Sequence, residues 1–109
     1  MSITRFRGDT KPFVVTLSTL TGPLPLSGCT AFKMTADPSK TPTDETNNIF
    51  SITGTVLSAA DGTVEFLPSE SETDHLGVYY FDVQFLDARG LKCTAGKSKL
   101  TFEQDITKT

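Results

Sequence analysis

Between Val78 and Leu86 the chain reads VYYFDVQFL, with Tyr79, Phe81, Val83 and Phe85 on every second position. Period two places all four on one face of an extended strand, whereas a helix would scatter them around its circumference. So dense a stripe of aromatic and β-branched side chains demands burial, which commits the chain to a sheet with at least one covered face. The stripe is expected at the centre of the core.

Elsewhere Gly, Pro, Ser and Thr interrupt nearly every window, leaving no helical periodicity. Strands are predicted over residues 3–7, 13–20, 29–36, 49–57, 63–67 and 78–86, with the last pairings supplied by two pieces, 91–93 and 99–102. Phe13, Val15 and Leu17 alternate onto one face, as do Phe32 with Met34 and Val64 with Phe66. Asp61-Gly62 between two such runs predicts a hairpin. The prolines of TGPLPLSG confine it to a connection or an edge, and DPSKTPTDETNN has no large apolar side chain to bury, so it is expected as an exposed, mobile loop. A length of 109 residues suits one domain spanning residues 1–109, with short polar terminal arms. About seven short strands at this spacing predict an all-β, immunoglobulin-like β-sandwich.

Ten Lys and Arg against thirteen Asp and Glu give a net charge of -3, spread without a basic block. Neither nucleic acid nor a membrane surface is expected as a partner, which leaves other proteins. No secretory leader and no apolar run of bilayer-spanning length is legible. Acid–base chemistry near neutral pH has one histidine to draw on, His75, which is expected as a solvated loop residue in PSESETDHLG. Glu70, Glu72 and Asp74 beside it lack the spacing of a calcium loop, and a polar turn capped by Ser69 or Ser71 accounts for them. TAGKSKL has Leu91 where a phosphate loop needs its leading glycine. Neither enzyme activity, a metal nor a cofactor is expected. Cys29 and Cys93 have the separation of an immunoglobulin inter-sheet disulfide, but without a tryptophan to pack on it free thiols are expected.

Arg7-Gly8-Asp9 would serve adhesion at the tip of an extracellular loop. Here it lies between two apolar runs and reads as a turn, with Gly8 at positive φ, the Asp9 side chain bonding the backbone two residues on, and Thr10 continuing it.

The opening RGDTKPFVVTL, the loop and strand PLSGCTAFKM and the long stretch AADGTVEFLPSESETDHLGVYYFDVQFLDARG together resemble the N-terminal, immunoglobulin-like domain family of the upper baseplate protein of tailed bacteriophages. The landmarks are a Gly-Asp pair opening the second strand, a glycine closing the loop before the third, and a Gly-x-Tyr starting the core strand. Gly8 with Asp9, Gly28, and Gly77 with Tyr79 match them. The resemblance implies a non-enzymatic virion structural protein, made in the host cytoplasm and present as a symmetric homo-oligomer or multicopy assembly. With the chain ending at TFEQDITKT, a freestanding module is expected, decorating the capsid or fitted at the tail or baseplate. The competing expectation is a host-recognition or carbohydrate-binding module. Contacts with other virion proteins are expected from residues 1–7, 37–48 and 103–109, none of which is needed to complete the core.

Overall fold

The computed structural model describes residues 2–19, 21–44 and 46–104. Among them run β1 (Ser2–Phe6), β2 (Phe13–Thr16), β3 (Ser18–Thr19), β4 (Gly22–Pro23), β5 (Thr30–Asp37), β6 (Phe50–Ser58), β7 (Thr63–Phe66), β8 (Gly77–Leu86) and β9 (Lys92–Glu103). Seven of these form one curled sheet in the order β1-β9-β8-β5-β6-β7-β2, and β3 with β4 makes a separate small hairpin. All the ladders are antiparallel except β1 with β9, in which Ser2 lies opposite Lys99 and Phe6 opposite Glu103.

The curl becomes a sandwich at β6. Residues 50–53 pair with β5, whereas residues 54–58 pair with β7, so one strand leaves the first sheet and enters the second. Gly54 stands at the handover. A Cβ there would lie 2.5 Å from Phe66 Cε1 and 2.8 Å from Val64 Cγ1, so the backbone of β6 approaches the core side chains of β7 as only glycine allows. With β2, β7 and late β6 in the places of strands B, E and D, and β5, β8 and β9 in those of C, F and G, the connectivity is immunoglobulin-like.

The alternation read from the sequence holds through the core. Phe81, Val83 and Phe85 are buried, and Tyr79 is half-buried with its hydroxyl donating to the Leu76 carbonyl at 2.9 Å. Opposite them lie Phe13, Val15 and Leu17 and, from β7, Val64 and Phe66, all buried. A stacked ring pair ties the layers, Phe13 of β2 with Phe50 of early β6 at 6.0 Å between centroids, while Phe32 stacks on Phe85 at 5.4 Å between the neighbouring strands β5 and β8.

Four features depart from expectation, the first being that the strand expected over residues 13–20 stops at Thr16, after which Ser18–Thr19 pair with β4. The two predicted pieces of the last strand are one strand of 12 residues. TAGKS does not break it, because the register slips by one residue between Asp82 opposite Lys97 and Val83 opposite Ala95, absorbing Gly96 as a bulge. A second slip, between Thr30 and Lys33 of β5, puts Ala31 at a φ of 57°, the left-handed region that favours glycine. The strand expected over residues 3–7 is present as β1, but it completes the core where residues 1–7 were expected as a dispensable docking arm: Ile3 packs against the core, and Arg5 donates from Nη2 to the Pro12 carbonyl at 3.1 Å with its guanidinium 5.2 Å above the Phe13 ring. Met1 lies outside the described residues.

Both cysteines are free and half-buried. Cys29 leads into β5 and Cys93 lies on β9, in the same sheet with β8 between them, whereas the immunoglobulin bridge joins opposite sheets.

The two backbone sites give opposite expectations. Gly54→Ala should lose about 1–3 kcal/mol by overpacking against Phe66 and Val64. Ala31→Gly should gain up to about 1 kcal/mol, the relief of a left-handed alanine less the entropy that glycine gives up. Urea midpoints at unchanged slope check both. Parental stability in Gly54→Ala would show that β7 yields freely to the added methyl. Phe81→Ala, which empties the centre of the stripe, should cost about 3–5 kcal/mol.

Candidate docking surface

Asp37 ends β5, and the described residues from there to Ile49 cross to β6 without helix or strand. Short side chains shape this loop by bonding backbone N–H groups two residues on. Asp37 Oδ1 accepts from Ser39 at 2.7 Å, Ser39 Oγ from Thr41 at 3.2 Å and Asp44 Oδ1 from Thr46 at 3.0 Å. The Ile49 N–H then donates to the Ala36 carbonyl at 2.9 Å and closes the loop at its base.

The loop leans over the outer face of β5 and β8. Between residues 42–44 and the sheet side chains Thr35, Asp82 and Gln84 lies a polar cleft of about 540 Å³, with Lys33 and Lys92 at its margin. A smaller hollow of about 60 Å³ sits at the loop's root, bordered by Asp37, Tyr80, Asp82 and Lys97. Asp37 is 4% exposed, and its Oδ2 has no hydrogen-bond partner among the described residues. A buried acceptor left unpaired costs about 1–3 kcal/mol, which an incoming donor would recover. Burial pushes the Asp82 carboxyl above the usual aspartate range, while Lys97 and then Lys92 pull it back.

The strand edges form a second polar surface. β2 has a partner on one side, β7, and the outer edge of β9 is covered by β1 only from Lys99 onward. Among the described residues, nothing pairs with the outer edge of β9 over residues 92–98.

The adhesion-like tripeptide is a structural knot. Gly8 has a φ of 81° and its N–H donates to the Thr73 carbonyl at 3.0 Å, while Arg7 Nε meets Asp74 Oδ1 at 2.6 Å. Asp9 enters through its backbone and not through the side-chain bond expected of it: its N–H donates to the Phe6 carbonyl, and its carbonyl accepts from the buried Thr73 hydroxyl at 2.8 Å. Arg7 is thus committed to Asp74 at the position where a receptor would read it.

The acidic run beyond it is also spoken for. Ser69 Oγ accepts from the Glu72 N–H at 3.3 Å and Glu72 Oε1 from the Ser69 N–H at 2.8 Å, a reciprocal cap around one turn. His75 is half-buried and not solvated as expected, its ring set edge-on to Tyr79 at 5.8 Å and tilted against Phe102 at 6.5 Å. The sequence named the loop as a docking segment, but the cleft beneath it was not visible there, since period two says which residues face outward and not what covers them. Of the expected C-terminal docking segment, residues 105–109 lie outside the described residues.

No protein-family model matches the chain, and no curated protein emerges as a relative.

Because the folded state holds the Asp82 proton more tightly than the unfolded chain does, this carboxyl subtracts stability as pH rises above the ordinary aspartate value. The cost is absent at lower pH. Asp82→Asn keeps the shape and removes the charge. The variant should melt above the parent at neutral pH, with the gain shrinking as the solution is acidified below the aspartate range. Thermal melts across that range decide it, and a gain independent of pH would show that Asp82 ionises without penalty.

Proposed function

We propose that this chain is a non-enzymatic building block of a bacteriophage virion, a β-sandwich module that docks onto other virion proteins at the capsid, the tail or the baseplate. The observation that carries the docking role is the cleft under the loop of residues 38–49. Its wall includes the partly desolvated Asp82, with lysines at its margin, and Asp82 also borders the smaller hollow at the loop's root, where the Asp37 carboxylate has an oxygen without a partner among the described residues. Fixed polar groups in a concavity give specificity to a protein contact, and they do so without a large apolar patch. The virion setting is supported by the resemblance to the upper-baseplate domain family. Its landmark glycines fall at turns in this fold: Gly8 and Gly28 both take positive φ, and Gly77 opens β8. Many symmetric copies would let individually small contacts hold, because each added contact is intramolecular once the first has formed.

The test is an inventory of purified virions by mass spectrometry, alongside a variant in which residues 39–47 are replaced by Asn-Gly. The parent protein should be present in several copies per particle. The shortened variant should melt like the parent, since every described residue removed is exposed loop, and should be lost from particles. Absence of the parent from virions overturns the proposal. Retention of the folded variant would move the contact off the loop.

A further inference from the structure

The sandwich has two lateral sides, and they are sealed differently. On one, β6 carries the chain from sheet to sheet. On the other, the edge of β2 faces the edge of β9 with no strand in common. Along half of that side β1 does the sealing: it pairs with β9 from Lys99 to Glu103, turns Ile3 and Arg5 inward, and rests Arg5 on Phe13 of β2. Along the other half, no described residue takes that place. There a cleft of about 210 Å³ opens between the sheets, walled by Val15, Leu17, Phe81, Val83 and Ala95, with hydroxyl side chains and Lys97 completing its lining.

We infer that residues 92–98 of β9 receive an extended, acidic segment of a partner protein, which joins the sheet as an added strand in line with β1 and fills the cleft behind it. An unpaired edge offers backbone donors and acceptors to any extended chain, while the pockets for alternate side chains set the choice. Seven residues of edge correspond to roughly 23 Å of strand. On this stretch Cys93, Ala95 and Ser98 lie on the core-facing side, as their ladder partners Phe85, Val83 and Phe81 show. Lys92, Thr94 and Lys97 lie on the outward side, followed by Lys99. A segment alternating apolar and acidic residues fits both rows. A second copy of this chain fits poorly, because pairing the same edge antiparallel with itself would bring lysines against lysines with no carboxylate on the strand before Glu103. The identity of the partner as a virion protein rests on the proposed function; the edge itself does not.

The probe is the peptide Val-Glu-Val-Glu-Val-Glu-Val, titrated into the isolated protein. Amide exchange over residues 92–98 should slow on binding, and the β2 side chains lining the cleft should shift in the NMR spectrum. Lys92→Glu with Lys97→Glu, both at exposed positions, should weaken the peptide about tenfold, as expected when two weak rim attractions become repulsions. The same variant should gain affinity for the Val-Lys counterpart. N-methylation of the peptide on alternate residues, made in both registers, should abolish binding in one of them. The inference is overturned by failure of the Val-Glu peptide to bind, by protection confined to another part of the molecule, by affinity unmoved by charge reversal or by either N-methylation, or by association of the protein with itself through β9. Peptide binding by a protein absent from virions would refute only the virion setting. A virion protein that ignores the peptide would refute only the added strand.

Discussion

Everything else in the architecture follows from β6 serving two sheets at once. Its early residues are held by β5 and its late residues by β7, so the hydrogen-bonded ladder never stops at the corner of the sandwich. That continuity depends on Gly54, where the absence of a side chain lets Phe66 and Val64 press against the β6 backbone. A corner closed by a through-running strand leaves the opposite corner to side chains. There Arg5 over Phe13 carries the closure, and it reaches only as far as β1 does. The open cleft and the bare stretch of β9 are thus the counterpart of the sealed corner.

The inward faces were legible because burial on one side of a strand writes itself into the sequence with period two. Phe13, Val15, Leu17, Phe32, Met34, Val64, Phe66, Phe81, Val83 and Phe85 are all buried as the alternation required. What escaped the pattern was irregular pairing. A bulge shifts the alternation by one, so the period appears to end at TAGKS although the strand runs on, and Ala31 carries no mark of the left-handed backbone it adopts. The role of β1 was hidden for another reason. Residues 3–7 read as a strand, but their mixed polarity does not show that it belongs to the core: Ile3 and Arg5 become core-facing only once β9 lies beside them. The docking loop was legible by composition, but its cleft was not. The cleft is made by how residues 42–44 lie over Asp82 and Gln84, two residues that local alternation places merely on an outer face.

Loop and edges divide the surface by the kind of recognition each permits. The cleft and the hollow at the loop's root present side-chain groups in fixed positions, of which the Asp37 carboxylate in the hollow is the most deeply set, so this face selects by chemistry. The edge of β9 presents backbone, selecting by extension and by the sign of charge. Between them the β1–β2 turn is held shut. Thr73 accepts from Gly8 and donates to Asp9, so the strand that seals the open side is anchored by a buried hydroxyl as well as by its ladder.

The pairing of β1 with β9 also sets a timetable for synthesis. Ser2 is made before its ladder partner Lys99, which follows ninety-seven positions later. At a translation rate of about 5–20 residues per second the first strand waits on the order of 5–20 s for its neighbour. Over that interval Ile3 and Phe6 are available to whatever binds nascent chains, and the rest of the sandwich has time to assemble around β6. Of the described strands β1 is the earliest in the chain and β9, its ladder partner, the last, so its pairing closes only on strands that have already been made.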